Sequence, residues 1–393
     1  MKIVADENIM ALSAKLPKGI DWVLKPGRSI VADDLRDADA LLVRSITRVD
    51  EALLKGTSVS FVATATSGTD HLDLTWLAAN DIKVADAAGA NANAVVEYVL
   101  AALAELALED NLPLWDMTVS VIGVGHVGSA LIRKLTGLGI KCLACDPLQQ
   151  LLPDIAYVSL DAALRADVIC LHTPLTDDVP TATHHMIDAA CLKKISRSAV
   201  LVNAGRGEVI NNQALLAHLD KFPDQRVILD VWENEPSPSS ELLQRVFIGT
   251  PHIAGYSVEA KLAATRLVVA ALIQHFGLDK LKLPMQSSSA MRVHDQRYES
   301  ESGSLLVRKG TDEQMFAGIV SRAFSPRAVS RRFKDIYQAA SFSDDLNASV
   351  EVFDSIRADM ILRREFGATH VHAAGFSPQL SAWLHAAGFV LQA

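Results

Sequence analysis

Three polar segments of this sequence each follow an apolar run, and each carries a side chain suited to acid–base or ionic chemistry. NAGRGEVIN holds Arg206 between two glycines, DVWENEP holds Glu235, and TPHIAGYS holds His252 after a proline. The apolar runs before them are typical of parallel strands that are buried on both faces. Ligands of such sheets bind beyond the carboxyl ends of the strands, so we expect these three side chains to share one site.

These residue types suit the oxidation of a 2-hydroxy acid by a nicotinamide cofactor. A base must take the hydroxyl proton while hydride leaves C2, and the ordinary pKa of histidine suits that step. Glu235 would orient His252 and stabilise its protonated form. Arg206 would pair with the substrate carboxylate and stabilise charge in the transition state. Asp230, which precedes Glu235 in the same segment, is expected to orient the cofactor.

A glycine-rich loop supplies the expected cofactor site. VSVIGVGHVGSALIRKL contains Gly123, Gly125 and Gly128 as G-x-G-x-x-G between an apolar strand and a helical pattern, which is the context of dinucleotide binding. The first glycine permits a tight turn, the second lets the backbone approach a pyrophosphate, and the third lets helix and strand pack closely. The helix beginning near His126 and Val127 would offer unpaired N–H groups to that pyrophosphate.

The next predicted strand ends at Asp146, and this residue indicates which dinucleotide binds. A carboxylate at this position can accept hydrogen bonds from both ribose hydroxyls and would repel a 2′-phosphate. No arginine follows Asp146 in DPLQQ. The sequence therefore favours NAD over NADP.

Two series of strands that alternate with helices predict an α/β protein with parallel sheets. The first series lies in residues 1–90, and the second, with six strands, begins at Met117. Long helical patterns at 94–108 and 257–276 would carry the chain between two domains. After a serine-rich stretch at 285–304, interpreted as a linker, further helical patterns indicate a small appended module. Its basic cluster is predicted to be a solvated helix face and consists of Arg322, Arg327, Arg331, Arg332 and Lys334.

Composition narrows the possible functions. The chain has 393 residues, of which 50% are hydrophobic, and 37 Lys and Arg face 46 Asp and Glu for a net charge of −9. This balance argues against nucleic acid as the main partner, because binding to phosphates needs a concentrated basic face. MKIVADENIM lacks the layout of a signal peptide, and the longest apolar span is too short to cross a bilayer. A cytoplasmic location, away from membranes, is expected.

The four cysteines predict neither a disulfide framework nor a metal site. Cys142 and Cys145 form a C-x-x-C pattern inside a strand-like run. Residues three apart on a strand point to opposite faces, so the two sulfurs would not meet on one metal ion. We expect both cysteines to be structural.

The order of GVGHVG, LHTPLT, NAGRGEVIN, DVWENEP and HIAGYS closely resembles the D-isomer-specific 2-hydroxyacid dehydrogenases, over about residues 40–280. The resemblance implies two doubly wound parallel-sheet domains of Rossmann or flavodoxin type, here followed by a small C-terminal α+β dimerisation module. The catalytic domain would be discontinuous, with residues 1–92 and 257–284; the NAD-binding domain would be 93–256 and the C-terminal module 285–393. Formate dehydrogenase activity is not expected, because those relatives have Gln where this chain has Glu235.

The resemblance also implies roles for individual residues. Arg206, Glu235 and His252 would be the catalytic residues. The contacts to NAD would be Gly123, Gly125, His126, Val127, Gly128, Asp146, Thr173, Ala204, Gly205, Asp230 and Gly255.

Within the family, four features are similar to a branch that oxidises 4-phospho-D-erythronate in vitamin B6 synthesis. They are DENI, VRSITRV, TATSGTDHLD and the pair Gly255–Tyr256. This similarity implies that Ser45, Thr66 and Tyr256 contact the substrate and that Arg44, with Ser45, holds its anionic end. The stretch FDSIRADMILRREF is similar to the dimerisation module of the same branch, which implies a homodimer.

The sequence is also compatible with three other interpretations. The loop LLVRSITRVD, taken alone, also fits a solvated surface. A D-3-phosphoglycerate dehydrogenase of serine synthesis shares much of the pattern. An NAD-sensing co-repressor on the same fold would use the same residues for partner binding, with slow or absent turnover.

Overall fold

Two parallel β-sheets organise the chain in a computed structural model of the protein. The structure describes residues 1–12, 20–148, 152–177, 179–278, 310–341 and 347–392. These residues divide into two units, the first containing residues 1–91 and 258–278 and the second containing 92–257 with the described part of the C-terminal segment. The predicted linker at 285–304 lies outside the described residues.

The first unit is built on a five-stranded parallel sheet with the order β2-β1-β3-β4-β5, which is a flavodoxin-like order. Every strand that the sequence predicted in this region is confirmed. The strands are β1 (Lys2–Asp6), β2 (Asp21–Lys25), β3 (Ala40–Val43), β4 (Phe61–Thr64) and β5 (Lys83–Ala85). The helices between them are α1 (Ala32–Leu35), α2 (Glu51–Leu54) and α3 (Leu74–Ala79). Asp50 and Asp73 begin α2 and α3, because their carboxylates accept N–H groups of the first turn.

The second unit is built on a seven-stranded parallel sheet with the Rossmann order β12-β11-β10-β9-β6-β7-β8. The six predicted strands are confirmed, and β8 is an additional edge strand of two residues, too short to predict from its pattern. The strands are β6 (Thr118–Ile122), β7 (Lys141–Cys145), β8 (Ala156–Tyr157), β9 (Val168–Leu171), β10 (Val200–Asn203), β11 (Val227–Leu229) and β12 (Ile248–Gly249). The helices are α4 (Ala92–Glu109), α5 (His126–Gly137), α6 (Leu160–Ala163), α7 (Ala189–Leu192), α8 (Asn212–Lys221) and α9 (Ser240–Arg245).

Apolar clusters cover both faces of the second sheet. Cys142 packs against the cluster that contains α4 and α5, whereas Cys145 belongs to the cluster on the other face. This confirms that the two thiols point to opposite faces, and all four cysteines are free. Helix α10 (Val258–Phe276) follows the second sheet and packs with the core of the first unit through Val268 and Leu272.

The C-terminal segment is an α+β structure that shares the core of the second unit. Phe316 and Ile319 belong to the same cluster as the residues of α4, and the hydroxyl of Ser321 donates to Glu105 at 2.9 Å. Its elements are α11 (Asp312–Ala323), α12 (Pro326–Ser341), α13 (Ala348–Asp359), β13 (His370–His372), α14 (Pro378–Ala387) and β14 (Val390–Gln392), with the two strands parallel. Among the described residues, no helix has the length and apolar character needed to cross a membrane.

The prediction that the basic cluster is a solvated face is wrong for two of its members. Arg327 lies 4.1 Å from the centre of the Phe247 ring and donates to the carbonyl of that residue. Lys334 donates to the carbonyl of Val246, and burial, with the nearby charge of Arg327, lowers the pKa of Lys334 to about 8. These cations therefore attach α12 to the start of β12. Arg331 does face water, with 64% of its side chain exposed.

Candidate active site

The carboxyl ends of three neighbouring strands carry the side chains that the sequence predicted as catalytic. Strands β10, β11 and β12 are adjacent and parallel in the second sheet. Arg206 follows β10, Glu235 follows β11, and His252 follows β12. Because parallel pairing points all three strands the same way, the three residues lie at one edge of the sheet.

A hydrogen bond joins His252 to Glu235. Nδ1 of the ring lies 2.7 Å from Oε2 of the carboxylate, and Oε1 accepts the backbone N–H of Trp232 at 2.9 Å. An ionised carboxylate only accepts hydrogen bonds, so Nδ1 carries the proton and Nε2 is the lone-pair nitrogen of the neutral ring. The histidine side chain is 37% exposed, which leaves it open to a substrate.

The electrostatics of this pair follow from burial and charge. Burial acts to lower the pKa of His252, but the charge and hydrogen bond of Glu235, helped by Asp230, outweigh burial and raise that pKa. Burial acts to raise the pKa of Glu235, and the charge and hydrogen bond of His252 outweigh it, so that this pKa is lowered. The site therefore favours a carboxylate beside a histidine that readily takes a proton.

Asp230 is buried and fixes the backbone of the histidine loop. Its carboxylate accepts the N–H groups of Ile253 and Ala254, each at 2.8 Å, and the hydroxyl of Thr250 at 2.7 Å. Its carbonyl accepts the N–H of His252 at 2.7 Å. His252 has φ +54°, a left-handed conformation that is uncommon outside glycine, so these bonds hold a strained turn. The sequence did not predict this role, and the cofactor contact of Asp230 stays a prediction.

The loop that carries Arg206 packs closely against the segment that carries Glu235. A Cβ atom at Gly207 would lie 2.0 Å from the carbonyl carbon of Trp232, so a residue larger than glycine cannot fit. The side-chain amide of Asn203 donates to the Arg206 carbonyl at 2.9 Å, and the Arg206 guanidinium donates to the carbonyl of Gly205 at 2.9 Å. A guanidinium has five N–H donors, so Arg206 can hydrogen-bond its own loop and a substrate carboxylate at the same time.

The glycine loop lies between β6 and α5, where the strand order of the second sheet reverses. Gly123 has φ +88°, and a Cβ there would lie 2.7 Å from the N atom of Thr173. A Cβ at Gly128 would lie 2.0 Å from the Gly123 carbonyl oxygen, so helix and strand touch there. At Gly125, by contrast, φ is −73° and a Cβ would meet no atom of the described residues within 4 Å. Internal packing therefore explains the first and third glycines but not the second, which is open to a ligand.

Two further groups near this loop fit a dinucleotide. The Asp146 carboxylate accepts the N–H groups of Val124 and Leu148 at 2.8 and 2.9 Å, which holds it beside the glycine loop. The Thr173 hydroxyl and both ring nitrogens of His172 are buried without a hydrogen-bond partner among the described residues. Buried polar atoms are normally paired, so a ligand that bonds the Thr173 hydroxyl would complete the site. The sequence did not indicate His172.

The remaining predicted cofactor contacts lie at the same strand ends. Ala204 and Gly205 follow β10, and a Cβ at Gly205 would lie 3.0 Å from the Thr173 carbonyl oxygen. Val127 is in the first turn of α5, and Gly255 is half-buried in the histidine loop. Within the described ranges, no group of three or more His, Cys, Asp or Glu side chains is arranged to hold a metal ion.

In the first unit, Arg44 forms a salt bridge with a buried carboxylate. Its Nε lies 2.8 Å from Oδ2 of Asp6, and the side chains of Arg44 and Asp6 are 31% and 0% exposed. Asp6 ends β1 and Arg44 follows β3, the neighbouring strands at which the order of this sheet reverses. Arg44 is therefore not part of a merely solvated loop, whereas Ser45 and Arg48 are exposed. The role of Arg44 in binding an anion stays a prediction.

Thr66 belongs to a small hydroxyl network at the end of β4. Its hydroxyl lies 2.7 Å from that of Thr64 and donates to the Gly68 carbonyl at 2.9 Å. Nε2 of His71 lies 2.9 Å from the Thr64 hydroxyl. Burial lowers the pKa of His71 to about 4, so this ring is neutral at physiological pH. The network orders the loop in which Thr66 was predicted to contact substrate.

Tyr256, the last predicted substrate contact, is paired with a residue of the C-terminal segment. Its phenolic oxygen accepts a hydrogen bond from a terminal nitrogen of Arg357 at 2.7 Å. The sequence did not point to Arg357, which lies 101 residues further along the chain.

Comparisons with known proteins agree on the family. The D-isomer specific 2-hydroxyacid dehydrogenase, NAD binding domain, matches residues 106–254. An erythronate-4-phosphate dehydrogenase from Marinobacter nauticus is 38% identical over 397 residues, covering 100% of both chains. An enzyme of the same name from Chromohalobacter salexigens is 46% identical over 284 residues, covering 72% of this chain and 74% of the relative.

Solved structures show the same fold at lower identity. A D-lactate dehydrogenase from Aquifex aeolicus, complexed with NAD and lactic acid, has a TM-score of 0.58 at 22% identity and covers 73% of this chain and 100% of its own. An NAD-dependent formate dehydrogenase from Staphylococcus aureus has a TM-score of 0.56 at 21% identity, covering 72% and 98%. At these identities the likeness concerns the fold.

Proposed function

We propose that this chain, which belongs to the erythronate-4-phosphate dehydrogenase family, carries out its NAD-dependent reaction with His252, Glu235 and Arg206. The reaction oxidises 4-phospho-D-erythronate at C2 to 2-oxo-3-hydroxy-4-phosphobutanoate, a step toward pyridoxal 5′-phosphate. The observation that carries the residue assignment is the 2.7 Å hydrogen bond between His252 and Glu235 at the carboxyl edge of the Rossmann sheet.

His252 acts as the base. Its Nε2 atom takes the proton of the C2 hydroxyl while hydride leaves C2, and NAD, when bound, accepts that hydride. Glu235 holds the ring through Nδ1 and stabilises the imidazolium that forms, which is the direction in which it shifts the pKa of His252. Arg206 pairs with the substrate carboxylate and with the C2 oxygen, where it stabilises the charge that develops.

The residues around the glycine loop hold the cofactor. Gly125 and the N-terminus of α5 receive the pyrophosphate, and Asp146 receives the adenosine ribose. The open position at Gly125 and the unpaired, buried Thr173 hydroxyl support this assignment. The other contacts are Gly123, His126, Val127, Gly128, Ala204, Gly205, Asp230 and Gly255.

Ser45, Thr66 and Tyr256 contact the substrate, and Arg44 contributes to holding its anionic end. Support comes from the positions of the first two beyond the ends of β3 and β4, where ligands of parallel sheets bind. Because Asp6 already balances the charge of Arg44, we assign Arg44 a secondary part in phosphate binding.

The domain assignment and the assembly are also proposals. The catalytic domain consists of residues 1–92 and 257–284, the NAD-binding domain of 93–256, and a dimerisation module of 285–393. A homodimer is supported by relatives that match the chain over its full length, C-terminal segment included, and by that segment's similarity to a dimerisation module. Multi-angle light scattering on the full chain should give twice the 42.4 kDa monomer mass, and a monomer would refute the dimer.

A cytoplasmic location fits the chemistry of the chain. The substrate and cofactor are phosphorylated metabolites, and the four thiols are free, as is usual in a reducing compartment. Fractionation of cells that express a tagged copy should place the protein in the cytoplasmic fraction.

The reaction is tested with substrate deuterated at C2. Wild-type enzyme and NAD should convert 4-phospho-D-erythronate to the oxo acid with the deuterium recovered in the reduced cofactor. 3-Phospho-D-glycerate, assayed side by side, should give much slower NADH formation. Faster turnover of 3-phospho-D-glycerate would leave the mechanism unchanged but would indicate an enzyme of serine synthesis. NAD binding without turnover of either substrate would favour the NAD-sensing co-repressor.

A further inference from the structure

Arg357 lies on α13 and reaches the side chain of Tyr256 in the histidine loop. Besides the 2.7 Å hydrogen bond to the phenolic oxygen, its guanidinium carbon lies 5.4 Å from the centre of the Tyr256 ring and 5.6 Å from that of Phe353. These distances allow cation–π contact with both rings. The Arg357 side chain is 18% exposed, so it is mostly buried yet still reachable by a ligand.

The ion pair that Arg357 forms among the described residues is long and partly exposed. The Nε atom of Arg357 is buried and has no hydrogen-bond partner among the described residues. Its carboxylate contact, to Asp354, is 3.5 Å long, at the limit of a hydrogen bond, and Asp354 is itself 36% exposed. Buried arginines normally have their N–H groups satisfied and their charge balanced. This one is therefore arranged for an anion that comes from outside the chain.

Neighbouring contacts hold Arg357 in place against the catalytic loop. The buried guanidinium of Arg363, six residues further on, donates to the carbonyls of Ala254 and Ala94 at 2.9 and 2.8 Å. Glu365 accepts the hydroxyl of Ser257 at 2.7 Å. The segment that follows α13 is thus bonded to the histidine loop before and after Tyr256, which holds the C-terminal segment against that loop.

The charge of Arg357 also lies close to the catalytic pair. It contributes to lowering the pKa values of both His252 and Glu235. A cation that acts on both members of the pair would also attract an anionic substrate toward them.

We propose that Arg357 is a substrate-binding residue and that its guanidinium, together with the Tyr256 hydroxyl, binds the phosphate group of the substrate. The proposal rests on the proposed function, because it takes 4-phospho-D-erythronate as the substrate. The proposed function assigns Arg206 to the carboxylate end of the substrate. Arg44 forms an ion pair with buried Asp6, whereas the ion pair of Arg357 among the described residues is with the partly exposed Asp354. A phosphate, with several acceptor oxygens, matches both the unpaired Nε and the neighbouring hydroxyl.

The test compares Arg357→Gln and Arg357→Lys with wild-type enzyme. Arg332→Gln is the matched control, because Arg332 is an exposed arginine of the same C-terminal segment, paired with Asp359 at 2.7 Å. Each protein is assayed for kcat and KM with 4-phospho-D-erythronate and for KM with NAD. Inorganic phosphate is then titrated as a competitive inhibitor of the phosphorylated substrate.

Arg357→Gln should lower kcat/KM about 10- to 100-fold, mainly through KM, because a charge-assisted hydrogen bond to the ground-state substrate is lost. The inhibition constant of inorganic phosphate should rise by a similar factor, and the KM for NAD should change less than about twofold. Arg357→Lys should lie between wild type and Arg357→Gln, because lysine keeps the charge but loses the planar fork. Arg332→Gln should behave as wild type.

Unchanged phosphate inhibition in Arg357→Gln would overturn the proposal even if kcat falls, because the guanidinium would then contribute nothing to phosphate affinity. A rise in the KM for NAD alone would also overturn the proposal, because Arg357 would then interact with the cofactor and not with the substrate phosphate. If Arg357→Gln does not fold, Arg357→Lys gives the same readouts. If wild-type enzyme does not turn over 4-phospho-D-erythronate, the proposed function fails, and calorimetric binding of inorganic phosphate to the NAD-loaded enzyme still decides the role of Arg357.

Discussion

Nδ1 of His252 lies 2.7 Å from Oε2 of Glu235, although the two residues follow different strands of the Rossmann sheet. The hydrogen bond selects the neutral tautomer with its lone pair on Nε2, and the adjacent carboxylate raises the pKa of His252 against the effect of burial. One contact therefore sets both the orientation and the basicity of the proposed base.

Replacing Glu235 by Gln should move the pH dependence of oxidation. Loss of the negative charge leaves burial as the larger influence, so the pKa of His252 should fall. Oxidation needs neutral His252, so the acid limb of kcat/KM against pH should shift to lower pH. At the optimum, kcat should fall about 100-fold, because the imidazolium loses its stabilising partner. An acid limb that stays in place would show that a different group titrates.

Gly125→Ala should weaken NAD binding without destabilising the fold. A Cβ at this position meets no described atom within 4 Å, so the free energy of unfolding should stay within about 1 kcal/mol of wild type. The methyl group would keep the pyrophosphate from the backbone and raise the Kd for NAD about tenfold or more, measured by calorimetry. Gly128→Ala is the contrasting variant, because its Cβ would overlap the Gly123 carbonyl and cost about 1–3 kcal/mol of stability. Equal NAD affinity in Gly125→Ala and wild type would place the pyrophosphate elsewhere.

Arg44→Gln should destabilise the protein, because it leaves the buried carboxylate of Asp6 without its cation. We expect a loss of about 1–3 kcal/mol in the free energy of unfolding, less than for a fully buried pair because part of Arg44 faces water. Adding Asp6→Asn to Arg44→Gln should recover much of that loss in urea unfolding. Strictly additive effects of the two changes would show that the salt bridge does not stabilise the fold.

Arg206→Gln should lower kcat/KM about 100- to 1,000-fold, since glutamine cannot balance the charge that develops on the C2 oxygen. The affinity for NAD should be unaffected, which separates this role from cofactor binding. Turnover equal to that of wild type would remove Arg206 from the mechanism.

The parts of the structure that could be predicted from sequence are those set by local pattern. Continuous apolar runs such as VIL (227–229) and VLV (200–202) indicated buried parallel strands, and the glycine spacing indicated the strand–loop–helix turn. The positions of Arg206, Glu235 and His252 at one edge followed from the same reasoning, because parallel strands share their carboxyl ends. Strand β8 was not predicted, because a strand of two residues is too short to show a pattern of apolar residues.

The parts that could not be predicted depend on contacts between distant segments. Asp6 and Arg44 meet because β1 and β3 are neighbours in the sheet, which the alternation of strands and helices does not reveal. Arg357 meets Tyr256, 101 residues earlier in the chain, because α13 shares the core of the second unit. The strained φ of His252 depends on bonds to Asp230 that only the folded loop can form.

The role of His252 as the base can be tested by a single-turnover measurement of NADH formation by His252→Gln, with NAD binding measured on the same sample. His185→Gln is the matched control, because Nε2 of His185 lies 2.5 Å from Oε1 of Glu233 and forms a second histidine–carboxylate pair. We predict that His252→Gln binds NAD normally but transfers hydride about 100- to 10,000-fold more slowly, while His185→Gln stays close to wild type. A hydride-transfer rate in His252→Gln within about tenfold of wild type would show that some other group takes the proton.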